Sequence, residues 1–137
     1  MNNPLKILCA ILTLAVFPIY VQSQDTFNWT SIDPGDSLNW TDCFSPPLQC
    51  TRLNVPMNYS ASNAGSFALA LIRVPSSLNG TAAYQGPVLF NPGGLGGSGV
   101  DAMLQLGTQL ATVIGPEFDI VSFDPRAQLQ VMQTRHP

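Results

Sequence analysis

The run Asn91-Pro92-Gly93-Gly94-Leu95-Gly96-Gly97-Ser98-Gly99 holds most of the chemical potential of this sequence. It follows the apolar stretch Pro87-Val88-Leu89-Phe90 and precedes an amphipathic stretch starting near Val100. Glycines have no Cβ, so their backbone N–H groups can approach a negatively charged atom closely, and a following helix N-terminus adds favourable partial charge. The spacing therefore predicts an anion or oxyanion cradle. A plain tight turn for helix–sheet packing explains the same glycines and stays open as an alternative.

Two chemistries compete for such a loop. Gly94-Leu95-Gly96-Gly97-Ser98-Gly99 satisfies the dinucleotide fingerprint G-x-G-x-x-G, and Asp124 ends the next apolar segment, where a ribose-binding acid would sit. Against it, Pro92 lies where a dinucleotide fold runs strand directly into glycine. The acid also lies later than the usual spacing of about 20 residues. The other chemistry is acyl transfer, where the loop after the third strand of an α/β-hydrolase supplies a backbone N–H to the oxyanion. Each such donor contributes about 3 kcal/mol of transition-state stabilisation.

Nothing beside the loop completes a catalytic set. Ser98 lies among glycines but has no histidine to activate it, and the single histidine, His136, lies near the end of the sequence. G-x-S-x-G, the nucleophile elbow, does not occur. No metal-ligand spacing is present, and no metal or other cofactor is expected. With five Lys and Arg against eight Asp and Glu, and no basic stripe, a nucleic-acid partner has no electrostatic footprint.

The elements that must position the loop can be read around it. Thr51-Arg52-Leu53-Asn54-Val55 alternates and ends at Pro56; Phe67 to Val74 is a longer apolar run ended by Pro75; the polar stretch Asn58 to Gly65 between them predicts an antiparallel pair. Val88 to Phe90 reads as a short buried strand of the parallel type. Val100, Met103, Leu104, Ala111 and Ile114 fall on one helical face with Leu110 beside it; Gly107 weakens the helix and Gly115-Pro116 stops it. Phe118 to Phe123 is a second parallel-type strand, leading to Asp124-Pro125-Arg126. Strand, glycine loop, helix, strand is a βαβ unit. The expected fold class is therefore α/β, an antiparallel strand pair followed by that unit.

The N-terminus reads as a secretory signal: a positive charge at Lys6, an apolar run from Ile7 to Val21, and a cleavage site after Ser23. Pro18 and the shortness of the run argue against a membrane anchor, so no membrane association is expected once the signal is removed. Export agrees with N-x-[ST] triplets at Asn28, Asn39, Asn58 and Asn79, and with a charged fraction of only 9%. Cys9 departs with the signal, leaving Cys43 and Cys50 to bond in an oxidising compartment. The expected division is a signal peptide over 1–23, a polar lead-in over 24–47 with Trp40 packed on the domain, a partial α/β domain over 48–126, and a divergent tail over 127–137.

Four segments in order resemble secreted α/β-hydrolases of the tripeptidyl-aminopeptidase type, which are similar to prolyl iminopeptidases. They are Trp40-Thr41-Asp42-Cys43, Cys50 to Tyr59, Phe90 to Gly99, and Phe118 to Arg126. The resemblance implies a secreted serine peptidase that releases short peptides or residues from peptide N-termini by a Ser-Asp-His triad. It makes Gly93 and Gly94 the oxyanion loop and Asp124-Pro125-Arg126 the turn after the fourth hydrolase strand. Leu95 stands where the family has proline. The triad acid would come later in the chain, so Asp119 and Asp124 are expected as a strand-edge and a turn-capping carboxylate.

Family-like sequence runs to Arg126 and changes character at Ala127. From this we expect a truncated product carrying the N-terminal part of the hydrolase sheet, with Leu104, Leu110 and Val121 short of apolar partners, and inactive alone. The competing functions are a non-enzymatic secreted glycoprotein module and a fragment binding a dinucleotide or flavin.

Overall fold

The computed structural model describes residues 27–61, 64–94 and 96–125. The signal segment, Arg126 and the tail lie outside the described residues. Five strands form one mixed sheet: β1 (Thr41–Asp42), β2 (Gln49–Pro56), β3 (Ser66–Val74), β4 (Gly86–Leu89) and β5 (Phe118–Phe123), with one helix, α1 (Gly99–Ile114), between β4 and β5. The spatial order is β1-β2-β3-β5-β4. β2 and β3 pair antiparallel from Gln49↔Arg73 to Pro56↔Ser66, as their alternation and the intervening turn predict. β3 is antiparallel to β5, whereas β4 is parallel to β5 with Leu89 opposite Val121. The parallel pair joined by α1 is the βαβ unit.

α1 covers one face of the sheet and packs on β3 and β5. Its buried stripe is Gly99, Val100, Met103 and Gly107, continued by half-buried Leu110, Ala111 and Ile114. These meet Ile72, Val74 and Ile120 of the sheet in the core. Leu104 departs from the expected face and is 40% exposed, because the contact with two strands is narrower than the full apolar arc. Gly107, which weakens the helix on propensity alone, lies on the contact itself. A Cβ there would stand 3.1 Å from Met103 Cε and 3.2 Å from Val74 Cγ2, so its absence lets α1 approach β3. Leu110 and Val121, expected to lack partners, do not: Leu110 packs against the core and Val121 is buried.

β4 is parallel as expected but is not buried on both faces. It is the last strand of the described sheet, and Leu89 is 70% exposed. Phe90 lies just outside it. An apolar run alone cannot distinguish a central from an edge strand, because both bury one face on the helix.

The lead-in is more ordered than its lack of periodicity suggests. A 3-10 turn at Trp29–Ser31 places Trp29 against Phe27 and Phe44, and all three pack on the core. β1 and a bridge between Gly35 and Leu53 cover the outer edge of β2. The expected Cys43–Cys50 disulfide is present and closes the β1–β2 hairpin, with both cysteines buried. Trp40 packs its ring under the Arg73 guanidinium, 4.5 Å from the ring centroid.

Candidate functional site

The glycine loop rises from the carboxyl ends of the parallel strands, where α/β sheets place their ligand sites. Its start is tied to β5 twice. Phe90 N–H donates to the Val121 carbonyl at 2.8 Å, and Ser122 Oγ donates to the Phe90 carbonyl at 2.7 Å. The chain then turns through Gly93 (φ 74°) and Gly94 (φ 81°), followed by Gly96 (φ 81°). These left-handed conformations cost little only for glycine. Gly93 and Gly94 are exposed, with open space where a Cβ would stand. Gly97 returns so close to Gly93 that a Cβ on it would lie 2.7 Å from the Gly93 carbonyl oxygen.

The two amides expected in the cradle differ. Gly93 N–H donates to Asn91 Oδ1 at 2.9 Å, within the loop. Among the described residues, no acceptor takes the Gly94 N–H. Asn91 is thus part of the loop's construction, which reasoning from glycines alone misses. The signal was available: an asparagine two residues before a glycine amide is a frequent side-chain-closed turn.

The loop ends in a helix cap built from two elements. Ser98 is the N-cap of α1, and its Oγ accepts from Asp101 N–H at 2.9 Å. The same hydroxyl donates to Asp124 Oδ1 at 2.8 Å, and that oxygen also accepts Val100 N–H at 3.0 Å. Asp124 is 2% exposed, and its own N–H donates to the Ala70 carbonyl at 3.1 Å. It is a capping carboxylate, but of the first turn of α1 rather than of its own turn as expected. Gly99 is pressed onto β5, and a Cβ on it would collide with the Phe123 carbonyl oxygen and Ser122 Oγ.

This cap bears on the dinucleotide reading. A pyrophosphate at this helix would need the first-turn amides, yet Val100 and Asp101 N–H already have acceptors within the chain. The acid that reading assigns to a ribose is buried beneath the helix. Ser98, likewise, has its hydroxyl engaged in the cap rather than presented to a base.

Asp119 belongs to the other end of the sheet, opposite Pro87 of β4. It is not at a strand edge, since β5 lies between β3 and β4. The residue is 4% exposed. Its Oδ2 accepts Arg73 Nη1 at 3.1 Å and Tyr84 OH at 2.9 Å, and its Oδ1 accepts Ser76 N–H. Arg73 donates further to Gln49 Oε1 at 2.8 and 3.0 Å. Burial pushes the Tyr84 phenol above its ordinary value, with the hydrogen bond to Asp119 and that residue's charge adding to the effect and Arg73 opposing it. The carboxylate is fully engaged in holding strands together and lies remote from the loop. Among the described residues, no group of three His, Cys, Asp or Glu is placed to hold a metal ion. No described helix is long and apolar enough to cross a membrane.

A mixed sheet with a glycine loop between two parallel strands defines an α/β fold. Comparison with known proteins places it, at a coarse level, with the α/β-hydrolases. No family model matches the chain. Over 100 residues, 67% of the chain, it is 37% identical to serine protease Hip1 of Mycobacterium tuberculosis, covering 18% of that protein. A carboxylesterase B of Mycobacterium tuberculosis is 39% identical over 79 residues, 57% of the chain and 14% of the relative. The tripeptidyl aminopeptidase of Streptomyces coelicolor is 33% identical over 97 residues, 65% of the chain and 18% of the relative. The chain thus spans under a fifth of the length of these curated relatives. The resemblance to hydrolases of the tripeptidyl-aminopeptidase type is borne out over about two thirds of the chain.

Proposed function

We propose that residues 48–126 are the oxyanion-loop portion of an exported serine-peptidase-like hydrolase acting on peptide N-termini. The observation that carries this is the pair of left-handed glycines, Gly93 and Gly94, exposed at the carboxyl end of a parallel strand pair. Gly94 offers its N–H directly. Gly93 can offer its own only by exchanging Asn91 Oδ1 for the developing oxyanion. A tetrahedral intermediate would thereby gain about 3 kcal/mol for each amide correctly placed. The peptide substrate follows from the named activities of the relatives, a serine protease and a tripeptidyl aminopeptidase.

The 137 residues contain no G-x-S-x-G, so we propose that alone they carry the cradle without a nucleophile and turn over nothing. Residues 1–23 are proposed as the export signal, 24–47 as the lead-in and 127–137 as a divergent tail, with the mature product outside the cell and glycosylated.

A chimera tests the reading. The matching segment of the Streptomyces coelicolor tripeptidyl aminopeptidase is replaced by this chain's segment, and hydrolysis of a tripeptide amide is measured. An active chimera whose kcat falls about 10²-fold or more on Gly94→Val supports the cradle. A folded but inactive chimera favours a non-enzymatic glycoprotein module. Turnover by the unmodified chain, blocked by a serine-directed inhibitor, would overturn the claim that it lacks a nucleophile.

A further inference from the structure

The four N-x-[ST] triplets take no part in this chemistry, yet two of them are built into the fold. Asn28 caps the 3-10 turn, its Oδ1 accepting Thr30 N–H at 3.1 Å and the Thr30 hydroxyl at 2.7 Å. Asn58 Oδ1 accepts Ser60 N–H at 2.9 Å just past β2. Both turns use only the carboxamide oxygen. Both asparagines are exposed, and neither Nδ2 donates to a described residue. Asn39 differs, its Nδ2 donating to Ser37 Oγ at 3.5 Å.

We propose that Asn28 and Asn58 carry N-linked oligosaccharides and that the fold is matched to them: the oxygen serves the protein and the nitrogen serves the sugar. The proposal rests on the export reading above. Transfer joins Nδ2 to the anomeric carbon of the reducing-end sugar. The bond from that carbon to the diphosphate oxygen of a lipid-linked oligosaccharide donor breaks, the lipid diphosphate leaves, and Nδ2 loses one proton. Oδ1 is untouched, so each side-chain-closed turn persists in the glycosylated chain.

Topology fixes where the sugars stand. The β2–β3 connection extends past the last pair, Pro56↔Ser66, while β5 ends at Phe123 opposite Leu71. The Asn58 sugar is therefore on the end of the sheet from which the glycine loop rises. Asn79, in the connection after β3, is on the other end.

The test expresses the full chain in a eukaryotic secretory host. Peptide-N-glycosidase then releases sugar in heavy-oxygen water, marking each occupied asparagine. The mark is expected at both Asn28 and Asn58, whether the chain is secreted or held within the endoplasmic reticulum. Its absence from either position in chain that has entered that compartment overturns the inference. Chain found only in the cytosol with an uncleaved N-terminus overturns the export reading instead. A second readout isolates the role of the oxygen. Asn28→Asp keeps the acceptor while abolishing the sugar, and enzymatic release leaves that same aspartate in the parent, so the informative comparison is with Asn28→Ala, which is expected to melt below Asn28→Asp. If the Asp and Ala variants melt alike, the division between oxygen and nitrogen is wrong.

Discussion

Ser98 Oγ donates to Asp124 Oδ1 at 2.8 Å, so the residue closing the glycine loop is held by the residue that follows β5. Ser122 makes the matching connection at the loop's start through the Phe90 carbonyl. Both ends of the candidate cradle are thus positioned by one strand. The loop's geometry is a property of β5 as much as of its own glycines.

Removal of the Asp124 carboxyl is expected to be costly, because two donors lose their acceptor in a buried site. Asp124→Ala should lose about 3 kcal/mol in urea unfolding, Asp124→Asn less, and Ser98→Ala about 1 kcal/mol. The double variant should lose less than the sum, because one bond is shared; strict additivity would deny the coupling.

The two glycines of α1 should respond to very different degrees. Gly99→Ala drives a methyl into β5 backbone, with the Phe123 carbonyl carbon at 2.9 Å, and should destabilise by about 3 kcal/mol or lift the helix from the sheet. Gly107→Ala gains about 1 kcal/mol of helix propensity against a tight but side-chain-only contact. The net change should lie within about 1 kcal/mol of zero. Thermal melts of both variants check the ranking.

Tyr84→Phe should cost about 1 kcal/mol near neutral pH through loss of the hydrogen bond to Asp119. The folded protein holds the phenolic proton more tightly than the unfolded chain does. The hydroxyl's contribution is therefore whole below the ordinary tyrosine value of 10.0 and falls away as pH rises through the raised folded value. Unfolding of parent and variant at a series of alkaline pH values should show their stabilities converging; a gap that stays constant would contradict it.

Loss of the Cys43–Cys50 bond should cost about 2.5 kcal/mol on the chain-entropy estimate for so short a loop. The paired Cys43→Ser, Cys50→Ser variant should also free β1 and Trp40 from the Arg73 guanidinium. A tryptophan emission change at mild denaturant, ahead of global unfolding, reports that release.

The strand pair, the helix and the parallel strands were legible because period, breakers and caps agreed on each. Gly115-Pro116 stops α1, and Pro56 ends β2. Asp124 was legible as a capping carboxylate but not as the cap of α1, because the helix start it holds lies far back along the chain. The β4 edge was not, since strand order depends on partners distant in sequence. The packing role of Gly107 was not legible because helix propensity sees one helix and not the Val74 side chain facing it. In the candidate site the glycines announced the turn and Asn91 lay within reach of Gly93 along the chain, while Ser122 meets the Phe90 carbonyl only because the fold brings them together.

The two flanks of the sheet are unequal. β2 is sheltered by β1 and the Gly35 bridge, whereas β4 meets no described strand on its far side and carries Leu89 there in water. An open flank is a template for stacking chain upon chain, and Pro87 withholds only one amide from it. A preparation of the described residues alone is therefore expected to scatter more light per molecule as it is concentrated.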